Sequence, residues 1–243
     1  MYYHNVHIFK LGENSWSIQW KSAPSRALLQ FLLAVKKNLV NEFDAEIIHT
    51  YTEILLKYVA IDSLSGDKME DRFREIIKAT VPLEDQKTRV HRIPVCYESL
   101  FEDDLEVYLK KTSLTLNQLI ELHTKPLYIV YFMGFLPGFP YLEGLDKRLH
   151  IERKSIPSQN VKKGSVAIGG KQTGVYPQDS PGGWYTIGHS PSILFDVSKK
   201  QPSPFKAGDA IQFYAIDAQE CQHVKDQALT ETVFPILEED DER

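Results

Sequence analysis

The stretch that decides the fold runs from Gly134 to Pro191. It opens with GFLPGFPYLEGL (134–145), continues through GSVAIGGKQTGVYPQ (164–178) and closes with SPGGWYTIGHSP (180–191). Ten of the 13 glycines fall in this stretch, between Gly134 and Gly188. Because glycine adopts positive φ and lets other groups approach the backbone closely, so dense a cluster predicts tight turns and close packing.

Aromatic residues are interleaved with these glycines, as the wall of a concave binding site would require. The alternative is a turn-rich β-barrel whose glycines only make corners. The pattern alone leaves both interpretations open. The aromatic residues are Phe135, Phe139, Tyr141, Tyr176, Trp184 and Tyr185.

Length and composition indicate an ordinary globular protein. The chain has 243 residues, of which 42% are hydrophobic and 25% charged, and this length predicts two domains. A formal net charge of -5 argues against a general nucleic-acid binder, which needs a basic face. We therefore expect a small-molecule substrate and no nucleic-acid partner.

The cysteines and the first residues suggest a compartment. Cys96 and Cys221 lie far apart and match no metal-binding spacing, so we expect reduced thiols and no metal site. The first residues lack the features of a signal peptide, and no stretch approaches eighteen consecutive apolar residues. These observations predict a cytoplasmic protein without a membrane anchor.

Residues 1–92 are predicted to form an α+β domain, a small sheet covered on one face by helices. Alternating apolar residues predict strands, and apolar residues at helical spacing predict helices, the first capped by Ser25. The predicted strands are 7–11, 15–20, 45–49, 54–60 and about 88–94, and the predicted helices are 26–39 and 68–79.

Residues 93–220 are predicted to form a second domain, a closed β-barrel, because short β-prone runs alternate with Gly and Pro turns. Two short helices are expected first, one behind Asp103 and Asp104 and one at 116–123. A C-terminal segment, 221–243, ends in an acidic tail from Glu238 that we expect to be disordered. The predicted barrel strands are 127–133, 165–168, 185–188, 193–197 and 210–215.

Two side chains in this region are candidates for catalysis. Arg153 presents a planar pair of donors suited to a carboxylate or phosphate; the alternative is an ion pair with Glu152 or Asp146. His123 follows a helix and is suited to proton transfer near neutral pH; the alternative is a helix C-terminal cap. The sequence does not decide between these roles.

Amide recognition is the second candidate chemistry. Gln172 and Ser180 can each donate and accept hydrogen bonds, although Ser180 is equally suited to stabilising a turn. Backbone amides at Gly169 and Gly170, and at Gly182 and Gly183, are candidates for an anion-binding nest. The run 164–172 is not a phosphate-binding P-loop, because a second glycine precedes Lys171 and Gln172 follows it.

Several motifs together resemble the allophanate hydrolase subunit 1 family, which includes the B component of 5-oxoprolinase and the kinase inhibitor KipI. These motifs are IPVCY (93–97), ELHTKP (121–126), the glycine-rich segments quoted above and IGHSP (187–191). The resemblance implies an α+β N-terminal domain followed by a cyclophilin-like β-barrel domain. It covers residues 93–216 with high specificity.

The resemblance also implies a function, that of one component of an ATP-dependent amidohydrolase, inactive alone, that converts 5-oxoproline to glutamate. The implied partners are a lactam-utilisation subunit and a carboxyltransferase-like subunit, with ATP as cofactor. The alternative is a KipI-like inhibitor that binds a histidine kinase. The implied catalytic residues are His123, Arg153 and Gln172, and the implied substrate-binding residues are Phe135, Phe139, Tyr141, Gly169, Gly170, Tyr176, Ser180, Gly182, Gly183 and Trp184.

The chain departs from the family pattern at three places. A Pro-Arg pair is replaced by Pro157-Ser158, a Pro-Ala pair by Lys162-Lys163, and an arginine near the end of the motif by His189. Two arginines expected near the pocket are therefore missing. We expect these changes to affect substrate identity more than the fold.

Overall fold

A computed structural model describes residues 2, 5–57, 66–83, 88–98, 103–228 and 236–239. Its contacts divide the chain into two compact units, Met1–Gln86 and Lys87–Arg243. The units therefore meet before residue 92, where the sequence predicts the domain boundary. No helix in the described part of the chain combines the length and apolar character needed to span a bilayer.

The first unit contains a four-stranded antiparallel sheet in the order β1-β2-β4-β3. The side chain of Ser25 accepts a hydrogen bond from the Leu28 amide, as predicted for the helix cap. Trp16 and Phe73 pack edge to face in the core, 5.6 Å apart. The elements are β1 (Val6–Gly12), β2 (Ser15–Trp20), α1 (Arg26–Glu42), β3 (Glu46–His49), β4 (Glu53–Lys57) and α2 (Gly66–Ala79).

The second unit contains the long glycine-rich stretch. Its elements are β5 (Arg89–Cys96), α3 (Asp103–Thr112), α4 (Leu116–Thr124), β6 (Tyr128–Met133), β7 (Pro140–Glu143), a 3-10 helix (Lys147–Leu149), β8 (Ser158–Val161), β9 (Ser165–Gly169), β10 (Gln172–Val175), β11 (Ser180–Gly182), β12 (Tyr185–His189), β13 (Ala210–Ile216), α5 (Ala218–Ala228) and β14 (Ile236–Glu239).

Seven strands of the second unit follow one another in a nearly closed barrel, in the order β10-β9-β12-β5-β13-β6-β7. The two ends of this path, β7 and β10, lie against each other. Within the path β5 and β13 are parallel and the other pairs antiparallel, β14 pairs with β5, and β8 and β11 form a separate ribbon. The mixed α/β architecture and the cyclophilin-like barrel are confirmed.

Glycine is required where the barrel ends meet. A Cβ atom at Gly174 would lie 2.9 Å from Cζ of Phe139 and 3.3 Å from the Pro140 carbonyl oxygen. A real side chain at this position would force β7 and β10 apart. The absence of a side chain at Gly174 therefore allows the barrel to close over Phe139.

Three predicted elements differ in the structure. The strand predicted at 88–94 lies in the barrel and not in the first sheet, because it is flanked there by β12 and β13. No strand forms at 193–197, where the Asp196 carbonyl oxygen instead closes a turn by accepting from the Lys199 amide. Glu238 and Glu239, predicted to be disordered, lie in β14. Residues 58–60 of the predicted fourth strand lie outside the described residues.

We expect Gly174→Ala to lower the free energy of unfolding by about 1–3 kcal/mol, because the new methyl group overpacks the site against Phe139. Urea unfolding of the purified chain measures the change. Gly183→Ala is the matched control in the same unit, because a Cβ there meets its nearest atom at 3.8 Å. An equal loss of stability in both variants would contradict the closure role of Gly174.

Candidate functional site

The second unit contains a cavity of about 370 Å³, here called the aromatic pocket. Phe139 is its centre, buried to 1% exposure, with the rings of Tyr141, Tyr176 and Trp184 at 5.2, 5.4 and 5.6 Å. The rings meet at steep angles, an arrangement that is favourable for aromatic pairs and leaves a concave face. The lining residues are Phe135, Phe139, Tyr141, Arg153, Lys154, Pro157, Tyr176, Pro181, Gly182, Gly183 and Trp184.

Phe135 forms the rim of the pocket on the tight connection between β6 and β7. Its φ is 64°, a left-handed conformation that costs energy for a residue with a side chain. The Gly134 amide donates to the Phe139 carbonyl oxygen and the Leu136 amide to that of Gly134, which fixes this turn. The ring of Phe135 is consequently 59% exposed and lies 5.7 Å from that of Phe139.

Two glycines let aromatic rings lie directly on the backbone. A Cβ atom at Gly169 would come within 2.3 Å of the Trp184 ring, and one at Gly182 within 2.3 Å of the Tyr176 hydroxyl. Neither position can hold a larger residue without moving a ring of the pocket. Gly169 therefore supports the wall from behind, whereas Gly182 lines the pocket itself.

The anion-binding nest predicted at Gly169 and Gly170 is not available to a ligand. The Gly170 amide donates to the Ile151 carbonyl oxygen at 2.6 Å, and the Gly170 carbonyl oxygen accepts from the Ile151 amide at 3.1 Å. Gly170 adopts a φ of 65° in the turn between β9 and β10. We therefore correct the prediction: these two glycines shape the barrel, and only Gly182 and Gly183 reach the pocket.

Arg153 places a positive charge at the mouth of the pocket. Its guanidinium carbon lies 5.8 Å from the centre of the Trp184 ring, and it makes a long contact of 3.5 Å with Oε1 of Gln172. Among the described residues no carboxylate lies within ion-pair distance of it, and Asp146 pairs with Arg148 instead. The ion pairs considered from the sequence do not form, so the Arg153 charge is open to a ligand.

Two neutral phenols face this cation. Burial raises the pKa of Tyr176 to about 12, with a further increase from Tyr141 and an opposing effect of Arg153. Burial likewise raises the pKa of Tyr141, again opposed by Arg153. Both hydroxyls keep their protons at neutral pH, so they can donate and accept hydrogen bonds.

Lys154 is a pocket residue that the sequence interpretation missed. Its Nζ donates to Oδ2 of Asp104 at 2.5 Å and to Oγ of Ser158 at 2.7 Å. The same Asp104 oxygen accepts from the Thr186 amide, which joins α3 to β12. The sequence explained Asp104 as a helix-end acid; the only signal for Lys154 was its position next to Arg153.

His123 lies in the core of the barrel and does not line the aromatic pocket. It is fully buried, and its ring stacks on Phe213 at 4.5 Å. Nδ1 lies 2.7 Å from the Tyr97 hydroxyl, and Nε2 lies 2.8 Å from Oγ1 of Thr173. Both ring nitrogens are therefore occupied, and we assign His123 to the core and not to proton transfer in the pocket.

The hydrogen bonds around His123 define its tautomer. Thr173 donates its hydroxyl proton to the Ala167 carbonyl oxygen, so its oxygen is left to accept from Nε2–H of His123. Nδ1 then accepts from the Tyr97 hydroxyl. Burial lowers the pKa of His123 to about 3, which keeps the ring neutral.

The remaining predicted residues lie around the pocket. Gln172 contacts Arg153 beside the lining, and the Ser180 hydroxyl donates to the Pro181 carbonyl oxygen in the adjoining turn. Lys162 pairs with Asp179, and His189 packs on Gly164, so neither lines the pocket in place of the missing arginines. Within the described ranges no three His, Cys, Asp or Glu residues are grouped to hold a metal ion.

Comparisons with known proteins identify relatives of the whole region. The family model for the carboxyltransferase domain, subdomain C and D, matches residues 6–205. A protein of Bacillus subtilis (strain 168), named as the B component among the subunits of 5-oxoprolinase, is 42% identical over 140 residues, which are 58% of this chain and 58% of that protein. The aligned region thus spans less than two thirds of this relative.

Two solved structures share the fold. The crystal structure of TTHA0988 superposes with a TM-score of 0.71 and 29% identity, covering 84% of this chain and 40% of that chain. The Kluyveromyces lactis urea amidolyase superposes with a TM-score of 0.78 and 12% identity, covering 96% of this chain and 16% of that chain. At that identity the second comparison shows the fold alone.

We expect the stability of the protein to fall as the pH is lowered from 6 to 5, because buried His123 must take up a proton on unfolding. Its pKa is lowered from 6.5 to about 3, so its contribution is complete above the unfolded pKa and is lost as the pH falls. His123→Gln should remove about one proton, roughly 1.4 kcal/mol per pH unit, from the slope.

Urea unfolding at several pH values measures this slope. His223→Gln is the control, because His223 is exposed on α5 and should leave the slope unchanged. His189, whose pKa burial and Lys225 lower to about 4, accounts for a second proton that both variants retain. The same slope in His123→Gln and the unsubstituted protein would contradict the neutral buried histidine.

Proposed function

We propose that this chain, which belongs to the carboxyltransferase domain family of subdomains C and D, is the B-type component of an ATP-dependent 5-oxoprolinase. In this proposal the aromatic pocket receives the lactam, and the product is glutamate. The name and 42% identity of the Bacillus subtilis relative support the assignment. The chain is proposed to be inactive without its partners.

One observation in the pocket carries the proposal. The guanidinium of Arg153 lies at the mouth of an aromatic cavity, and no described carboxylate pairs with it. A lactam acid such as 5-oxoproline has a flat, largely apolar ring, one carboxylate and one neutral amide. The wall of Phe139 and Trp184 fits the ring, and Arg153 fits the carboxylate through paired hydrogen bonds.

The amide of the lactam needs a neutral partner that both donates and accepts. The hydroxyls of Tyr141 and Tyr176 have this character because burial raises the pKa of both groups. We propose that these hydroxyls, with Gln172 beside Arg153, orient the amide. The aromatic rings exclude water from the amide, which strengthens each of these polar contacts.

ATP is assigned to the reaction and not to this pocket. Opening a stable lactam is favoured when ATP phosphorylates the amide oxygen, because the carbonyl carbon becomes more electrophilic before water adds. The glycine amides first considered for phosphate are committed to Ile151 in the case of Gly170. We therefore propose that ATP is bound by a partner protein and that this chain positions the amide.

The proposed partners are a lactam-utilisation subunit and a carboxyltransferase-like subunit. The relatives support a larger assembly, since this chain covers only 40% of the TTHA0988 chain. His123 has no part in the proposed chemistry because it is enclosed in the core. No observation in the pocket favours the alternative, binding of a histidine kinase.

We expect Arg153→Met to raise the KM for 5-oxoproline in the reconstituted complex of three proteins by roughly tenfold to a hundredfold, the loss expected for a charge-assisted hydrogen bond. Glutamate formation with ATP present measures the change. Arg153→Lys should recover only part of the loss, because an ammonium cannot make the paired contact.

Arg148→Met is the matched control for this experiment. Arg148 is exposed and pairs with Asp146, and it does not line the aromatic pocket. Its replacement should leave both KM and kcat unchanged. If Arg153→Met retained the KM of the unsubstituted complex, Arg153 would not bind the substrate carboxylate.

A further inference from the structure

A second cavity, of about 420 Å³, lies beside the aromatic pocket and shares Arg153 and Lys154 with it. Its character differs, because charged side chains replace most of the aromatic rings. Tyr185 forms its buried floor, and Ile156, 81% exposed, lies on its rim. The lining residues are Asp104, Val107, Lys111, Ile151, Glu152, Arg153, Lys154, Ser155, Ile156 and Tyr185.

Lys111 is held in a defined position in this cavity. Its Nζ donates to the Tyr185 hydroxyl at 2.9 Å and lies 5.3 Å from the centre of the same ring. Tyr185 is only 5% exposed, so this anchor is part of the barrel wall. An ammonium group has three donors, and the contact with Tyr185 uses one of them.

The cations of the cavity are not balanced by its acids. Lys154 is neutralised by Asp104, whose carboxylate also accepts from the Thr186 amide. Lys111 and Arg153 have no carboxylate within ion-pair distance among the described residues. Glu152 is the one acid of the lining outside the Asp104 pair, and it is exposed to water.

Lys111 and Lys154 also crowd one ring. The Nζ atoms of both lie over Tyr185, at 5.3 and 5.5 Å from its centre. Two like charges held this close favour an anion between or beside them, since the anion relieves their mutual repulsion. Asp104 supplies that relief to Lys154 alone.

We propose that the second cavity binds an oxyanion, either a phosphate or a carboxylate, with Lys111 as its principal contact and Arg153 as a contributor. The proposal is separate from the function proposed above, because it concerns a second cavity and holds for the chain without its partners. The shared segment, Arg153 and Lys154, places this anion next to any ligand in the aromatic pocket.

The test is a calorimetric titration of the isolated full-length chain at low ionic strength, with inorganic phosphate in one arm and acetate in the other. We expect Lys111→Met to weaken binding of the bound anion about tenfold, as for a lost charge-assisted contact. Lys110→Met is the matched control, because Lys110 is the exposed neighbour on α3 and does not line the cavity. It should bind as the unsubstituted chain does.

Two further variants identify the chemistry of the site. Lys111→Arg keeps the charge and should retain binding within about threefold, and Glu152→Gln removes a repulsive carboxylate and should strengthen binding by a similar factor. Circular dichroism verifies that each variant is folded. Binding in only one arm tells phosphate from carboxylate as the preferred anion.

Three results would overturn the proposal. They are no binding of either anion at millimolar concentration, equal binding by Lys111→Met and the unsubstituted chain, and weaker binding by Glu152→Gln. The last result would indicate a site for a cation. None of these outcomes bears on the KM for 5-oxoproline, which measures the aromatic pocket.

Discussion

The contact between Phe139 and Gly174 is the constraint on which the second unit depends. Phe139 begins the short approach to β7, Gly174 lies in β10, and the lack of a side chain at Gly174 lets the two ends of the barrel meet. The same ring is the hub of the aromatic pocket, touching Tyr141, Tyr176 and Trp184. Closure of the barrel and formation of the pocket are therefore one packing event. The pocket cannot be widened at Phe139 without opening the barrel.

A buried polar chain fixes the opposite side of the barrel interior. It runs from the Tyr97 hydroxyl through both nitrogens of His123 to Thr173 and the Ala167 carbonyl oxygen. Each donor meets one acceptor, so the chain satisfies its members only when His123 is neutral. Burial raises the pKa of Tyr97 and lowers that of His123, and both shifts preserve this proton arrangement. The histidine thus joins α4 to β9 and β10 through directional bonds in an otherwise apolar core.

The sequence predicted much of the fold because alternation and helical spacing report burial on one face. It failed where a strand is buried on nearly every residue or where tertiary contacts decide, as in β5, which joins the barrel by pairing with β13 more than 100 residues later. The ring–glycine pattern predicted the pocket wall, since Phe139, Tyr176 and Trp184 do converge. His123 and Lys154 could not be placed, because a histidine or lysine in a sequence carries no sign of whether its nitrogen faces a ligand or a buried partner. Gly170 was misjudged for the same reason, as its amide bonds to Ile151 across the chain.

Arg153 and Lys154 show how two adjacent cations acquire different tasks. Lys154 is 11% exposed at its side chain and bonded to Asp104 and Ser158, so its charge is used in joining β12, α3 and the start of β8. A ligand could compete for it only by breaking these bonds and leaving Asp104 buried without its cation, which is costly. Arg153 is exposed, rests on Trp184 and meets no described carboxylate, so a ligand gains its charge without breaking an ion pair. The pair therefore forms a wall in which Lys154 maintains the position and Arg153 remains open to both cavities.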